Sequence, residues 1–191
     1  MAACLSTYTL KGILSDCNPV LAGISEVYLG YYNAWNVSAD TTTTGATRHT
    51  ITGLAPVTSA TDGEKKFYKY EFQKNTSSLN STFTKDEANG TRYWTNTLTL
   101  VFSKYENLKH MEVEAMGAEK LVAIVKDFNT DAQGNPQYWY VGLDGYLSTD
   151  DASATTGASA DDRNGYELTM NAQSAFLPMK IAYSDFEEYI D

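Results

Sequence analysis

Period-two alternation of apolar and polar residues runs through most of this chain, and it commits the fold to β-sheet. Val27, Leu29 and Tyr31 alternate with Glu26, Tyr28 and Gly30. Between Trp94 and Phe102, the residues Trp94, Leu98, Leu100 and Phe102 face one way, while Thr95, Thr97, Thr99 and Val101 face the other. Trp139, Val141 and Leu143 alternate with Tyr138, Tyr140 and Gly142, and Tyr166, Leu168 and Met170 with Glu167, Thr169 and Asn171. Thr, Tyr and Val are residues that suit a half-buried pleated surface. One run differs. Leu121-Val-Ala-Ile-Val125 is apolar throughout, as expected of a strand covered on both faces. Asp62-Gly63, Asn89-Gly90, Gly134-Asn135-Pro136, Asp144-Gly145 and Asn164-Gly165 flank these runs as turns. The pattern predicts a mainly antiparallel β chain, a single domain over residues 1–191.

One helix interrupts the strands, at about 103–117. Ser103-Lys-Tyr-Glu106 fits the capping box, in which the Ser hydroxyl and the Glu carboxylate satisfy free N–H groups of the first turn. Tyr105, Leu108, Met111, Ala115 and Met116 then fall on one side, interrupted by Glu112, and Gly117 is the expected stop. Such a helix should lie across a face or edge of a sheet. Two segments read as long loops: 36–61, holding Thr41-Thr-Thr-Thr-Gly45, and 148–164, holding Thr155-Thr-Gly-Ala-Ser159.

Charge is segregated along the chain. Residues 1–126 carry equal numbers of acidic and basic side chains, whereas 127–191 are acidic except for Arg163 and Lys180, so the net −10 belongs to the last third. A large basic surface for nucleic-acid phosphates is therefore excluded. With 42% hydrophobic and 13% aromatic residues the chain can bury a core, which excludes wholesale disorder. No apolar run is long enough to span a bilayer and no signal peptide is visible at the N-terminus, so no membrane partner is expected. Cys4 and Cys17 lack metal-ligand spacing with each other or with His49 and His110, and read as reduced, partly buried thiols.

No catalytic constellation emerges. There is no Gly-x-Ser-x-Gly elbow, no phosphate-binding glycine loop, and no carboxylate pair that stands out from solvated pairs such as Asp150-Asp151, Asp161-Asp162 and Glu187-Glu188. The chain is expected to be neither an enzyme nor a cofactor binder. Asp127, Asn129 and Asp131 have the alternate spacing of a calcium loop, but Ala132 stands where glycine is expected and Tyr138 where the bidentate glutamate is expected. A polar hairpin tip is the simpler reading. Asn36, Asn75, Asn80 and Asn89 open Asn-x-Ser/Thr sequons, a chance product of a Ser- and Thr-rich chain. Tyr31, Tyr32 and Trp35, or Tyr138, Trp139 and Tyr140, supply rings that would stack on sugars, although their period-two placement favours core and subunit-contact roles.

Three stretches carry a resemblance. Gly23-Ile-Ser-Glu-Val-Tyr-Leu29 resembles the first strand of major tail proteins from tailed phages of gut Bacteroidetes. Val122-Ala-Ile-Val-Lys-Asp127 followed by Tyr138-Trp-Tyr-Val-Gly142 resembles the hairpin after their helix, and Asp161-Asp-Arg-Asn-Gly-Tyr-Glu-Leu-Thr169 their late loop and strand. The resemblance implies an antiparallel β-sandwich or barrel of the tail-tube type with one flanking helix. It also implies a structural virion protein, assembled in the host cytoplasm, that closes into rings of typically six copies. Such rings stack with other tail proteins into a hollow tube through which DNA passes unbound. A ring of six would carry on the order of −60 charges. Asp150, Asp151, Asp161 and Asp162 are then lumen or assembly candidates, with Tyr31, Tyr32 and Trp35 at contacts. A surface-adhesion or carbohydrate-binding β-sandwich is the alternative.

Overall fold

The computed structural model describes residues 20–41, 49–73, 76–131 and 133–191. Among these, eleven strands and one α-helix follow in the order β1 (Ile24–Tyr31), β2 (Trp35–Asp40), β3 (Thr50–Pro56), β4 (Tyr68–Glu71), β5 (Ser78–Asp86), β6 (Thr91–Ser103), α1 (Asn107–Ala118), β7 (Leu121–Thr130), β8 (Pro136–Val141), β9 (Ser148–Thr155), β10 (Gly165–Ser174) and β11 (Met179–Ile181). They form two sheets, ordered β2-β3-β11-β8-β7-β1-β4 and β5-β6-β10-β9. Between the named strands all pairings are antiparallel except the single parallel register of β11 with β3. The chain is mainly β with one helix, as the periodicity requires.

Alternation places the core between the sheets. Val27 and Leu29 of β1 and Ala123 and Val125 of β7 meet Leu98 and Leu100 of β6 and Leu168 and Met170 of β10. Each buried aliphatic side chain of this kind stabilises the fold by roughly 1.5–3 kcal/mol relative to exposure. The other face of the seven-stranded sheet is buried as well. Tyr28, Val122, Ile124 and Tyr140 pack there with Ile181 and Phe186. Leu121–Val125 is thus covered on both faces, as its unbroken apolar run predicts. The same is true of β1 and β8, where the alternation suggests one polar face; Tyr28, Tyr138 and Tyr140 are buried on that side instead. The C-terminal segment supplies the cover, laying Phe186 edge-on against Tyr28 at 5.3 Å.

The larger sheet curls. Trp35 opens one edge strand and Phe67 precedes the other, yet their rings stack with centroids 4.4 Å apart. Phe67 also donates its N–H to the Tyr189 carbonyl and accepts from Asp191 N, so the C-terminus covers that edge. Among the described residues the outermost strands of the smaller sheet are β5 and β9.

Both expected loops are largely strand. Within 36–61, β2 and β3 form an antiparallel hairpin from Trp35↔Pro56 to Asp40↔Thr50. Within 148–164, β9 pairs with β10 from Gly165↔Thr155 to Asn171↔Ser148, and only 156–164 remain a connection. Ala, Ser, Asp and Gly crowd both segments and mask their periodicity; the neighbouring strand supplies the order. Of the Thr-rich stretch, 42–45 lie outside the described residues.

The helix begins later than its sequence signal. Ser103 is the last residue of β6, and no side-chain cap bond forms at Glu106. The Glu106 carboxylate turns to Lys104 and Lys109, at 2.6 and 2.9 Å, instead of closing a capping box. Asn164 and Tyr166 hold the helix entrance: Asn164 Oδ1 accepts from Tyr105 N at 2.7 Å. Tyr166 bonds both backbone groups of Glu106. The expected packing face holds only in part. Met116 is buried, but Leu108 and Met111 are 73% and 63% exposed.

Candidate functional site

The most distinctive surface is the outer face of the four-stranded sheet. Cross-strand partners project to the same side. With Leu98, Leu100, Leu168 and Met170 turned to the core, the register turns Thr95, Thr97 and Thr99 of β6 outward beside Thr169 and Asn171 of β10. Asn80 and Thr82 extend this face on β5, and Asp151 on β9. Among the described residues no outward position on these four strands is Lys or Arg, whereas Asp86, Asp150, Asp151 and Glu167 are acidic. Glu167 pairs with Arg163 from the β9–β10 connection.

Asp150 sits where β9 carries one extra residue, since Thr169 pairs with Asp151 and Met170 with Thr149. Such a bulge turns an added side chain onto one face. Its carboxylate accepts from Asn171 Nδ2, and Asn171 Oδ1 accepts from Thr97 Oγ1 at 2.5 Å. A polar string therefore crosses three strands. Hydroxyl and amide groups in such rows carry no net charge, so they add no long-range attraction for a polyanion.

The predicted residues separate. Asp150 and Asp151 lie on this face. Asp161 and Asp162 lie in the β9–β10 connection, where Asp162 accepts from the N–H groups of Ala158 and Ser159 at 2.9 and 2.8 Å. Those two bonds hold its carboxyl below the ordinary value. Trp35 is buried in the core, and Tyr31 and Tyr32 are half-buried, Tyr32 edge-on to Tyr146 at 5.8 Å. Tyr138 and Tyr140 are buried as well, so neither aromatic triplet forms an exposed stacking platform.

Asp127, Asn129 and Asp131 are engaged structurally. Asp127 Oδ1 accepts from Asn129 N and Nδ2, while the Asn129 amide exchanges two bonds with the Leu21 backbone. Asp131 Oδ1 accepts from Gln133 N and Asn135 N, which closes the β7–β8 turn. This is the polar hairpin tip, not a convergent ligand set. Among the described residues no group of three or more His, Cys, Asp or Glu could hold a metal ion. Cys4, Cys17, Asn75 and Ala132 lie outside the described residues.

The acidic third does not gather in space. Asp150, Asp151 and Glu167 lie on the outer face, while Asp185, Glu187, Glu188 and Asp191 belong to the C-terminal segment that covers the larger sheet.

Glu167 and the Thr97–Asn171 row are the features that charge counting missed. The alternation of Tyr166, Leu168 and Met170 already implied them, because it turns Glu167, Thr169 and Asn171 outward.

No known protein family, curated protein or solved structure matches this chain.

Proposed function

We propose that this chain is a structural virion protein that self-assembles into stacked rings forming a hollow tail tube. One observation carries the reading: a four-stranded sheet whose outer face takes no Lys or Arg from its own strands and which, among the described residues, ends in a strand without a further partner on each side. Open edges offer unpaired N–H and C=O groups to a neighbour. Joining β5 of one copy to β9 of the next extends the sheet by the same step each time, and a repeated rotation closes a ring. The outer faces then form one continuous wall. If that wall lines the lumen, DNA meets Thr, Asn and Asp from the strands, and the one arginine beside them, Arg163, is already paired with Glu167.

The curled edges of the larger sheet favour the same arrangement, because they leave the smaller sheet as the place for pairing. By the resemblance the ring has six copies and the tube sits in the virion with other tail proteins. The carbohydrate-binding alternative is weakened by the burial of Trp35, Tyr138 and Tyr140. Negative-stain imaging of the purified protein tests the proposal: rings or tubes of uniform bore are expected, and isolated small particles at every concentration would refute it.

A further inference from the structure

The hairpin joining β5 to β6 outruns the sandwich. β10 accompanies β6 only as far as the Ser174↔Trp94 pair, yet β5 and β6 stay paired through Thr84↔Tyr93, Lys85↔Arg92 and Asp86↔Thr91. On this arm Phe83, Trp94, Lys85 and Arg92 share one side, the side that at Leu79 and Leu98 faces the core. Beyond β10 that side lacks a covering strand pair. Phe83 is 48% exposed and leans on Trp94 with ring centroids 5.0 Å apart. Among the described residues Arg92 has no carboxylate partner, whereas Lys85 pairs with Glu87 at 2.5 Å. Among the described residues the arm therefore presents an apolar and cationic side that β10 does not back, with Phe83 and Arg92 exposed and Trp94 half-buried.

The complementary surface lies on α1. Leu108, Met111, Glu112, Ala115 and Glu119 recur at helical spacing as one exposed stripe, Glu119 being the residue that follows the last turn. Its second half borders a cleft of about 250 Å³ walled by Tyr31, Tyr68 and Tyr70, whose charged lining residues are Glu112 and Glu119. Tyr70 donates to Glu112 at 2.8 Å. Ring faces beside carboxylates suit a guanidinium, through cation–π attraction and charge together. The stripe is thus apolar at Leu108 and Met111 and anionic at the cleft, the counterpart of the arm.

One copy cannot bring the two together. Thr91 opens β6 at the arm and Ser103 ends it beside α1, the two ends of a 13-residue strand, a span of about 40 Å. We infer that the β5–β6 arm of one copy docks on the α1 stripe of the next. Phe83 and Trp94 lie against Leu108 and Met111, and Arg92 enters the tyrosine cleft beside Glu119. The contact joins different surfaces of the two copies, so it repeats head to tail. It rests on the self-assembly proposed above and names the surfaces that join.

Charge reversal in the full chain tests it, with assembly followed by sedimentation velocity and folding by near-UV circular dichroism. Arg92→Glu and Glu119→Lys should each lower the assembled fraction about tenfold or more while leaving the monomer folded. The double variant should recover most of the loss, because the pair is restored with its signs exchanged. Leu108→Ser, at a position the monomer leaves exposed, should also impair assembly without changing the monomer. Wild-type assembly by all four variants would overturn the docking contact and leave the tube reading standing. A wild-type chain that stays monomeric under the same conditions would overturn both.

Discussion

The Tyr166 hydroxyl both donates to the Glu106 carbonyl and accepts from the Glu106 N–H, each at 3.1 Å. This reciprocal pair spans 60 positions of sequence and fixes the entrance to α1, where Tyr105 stacks on the Tyr166 ring at 5.4 Å. Tyr166→Phe should destabilise the protein by about 1–2 kcal/mol, since it removes both bonds and leaves the Glu106 N–H to be satisfied anew, while the carbonyl keeps its bond from His110 N. Ser103→Ala should change stability by less than about 0.5 kcal/mol, because Ser103 provides no cap. Urea midpoints compare the two directly, and a larger loss at Ser103 would return the helix to its local signal.

Helix packing gives a second contrast. Met116→Ala should lose about 2–4 kcal/mol as a buried truncation. Leu108→Ala should stay within about 0.5 kcal/mol of wild type, its side chain being mostly exposed in the monomer. Equal losses in monomer stability would mean that the stripe is covered within one copy.

Gly165 admits no side chain. Its φ is +151°, and a Cβ there would lie 2.0 Å from the Phe102 carbonyl oxygen, a backbone atom in the paired strand. Gly165→Ala should therefore cost about 3 kcal/mol or more, or prevent folding. At Gly30 a Cβ would lie 2.8 Å from the Phe67 ring and 2.9 Å from Trp35 Nε1. Rings move more readily than a strand, so Gly30→Ala should lose a smaller amount, about 1–3 kcal/mol. Thermal melting of the two variants should rank them in that order.

Acid stability depends on Glu26. Burial would raise its carboxyl, but bonds from Tyr28 Oη at 2.7 Å and Lys126 Nζ at 3.0 Å, with the charges of Lys126 and Lys69, hold it below the ordinary value. A carboxyl depressed by folding contributes stability above its unfolded pKa and loses it as pH falls through the folded one. Burial and the bond to Glu26 push the Tyr28 phenol upward. Its contribution is therefore complete below the ordinary phenol value and is lost as pH rises beyond it. Urea midpoints should be level near neutrality and fall below about pH 4.5. Glu26→Gln should flatten that acid limb; an unchanged limb would assign it to other carboxylates.

The outer face predicts how the assembly treats DNA. Assembled wild-type protein should retain negligible duplex DNA at low salt, where any basic surface shows itself most strongly. Thr97→Lys and Thr169→Lys should leave folding intact and create retention that disappears as salt is raised. Tight, salt-sensitive binding by the unmodified assembly would contradict a conduit.

Much of the architecture follows from local pattern. The alternation in β6 and β10 assigns each residue to a face, because successive side chains in a strand must point to opposite sides. The unbroken run at Leu121–Val125 likewise requires cover on both faces. What lies beyond one strand's reach was decided by tertiary contacts. The second core depends on the C-terminal segment bringing Phe186 to Tyr28, and nothing in the spacing of β1 announces that cover. β9 reads as a polar loop because Ser, Asp and Ala, which make up most of it, have little intrinsic strand preference; β10 supplies the hydrogen bonds that order it. Ser103 to Glu106 matches a capping box in sequence, yet β6 extends through Ser103 and Tyr166 occupies the helix entrance. Charge shows the same division. Its segregation toward the end of the chain is a property of sequence, whereas which carboxylates share a face is set by strand register, which places Asp151 beside Thr169 and sends Glu187 and Glu188 to the segment covering the other sheet.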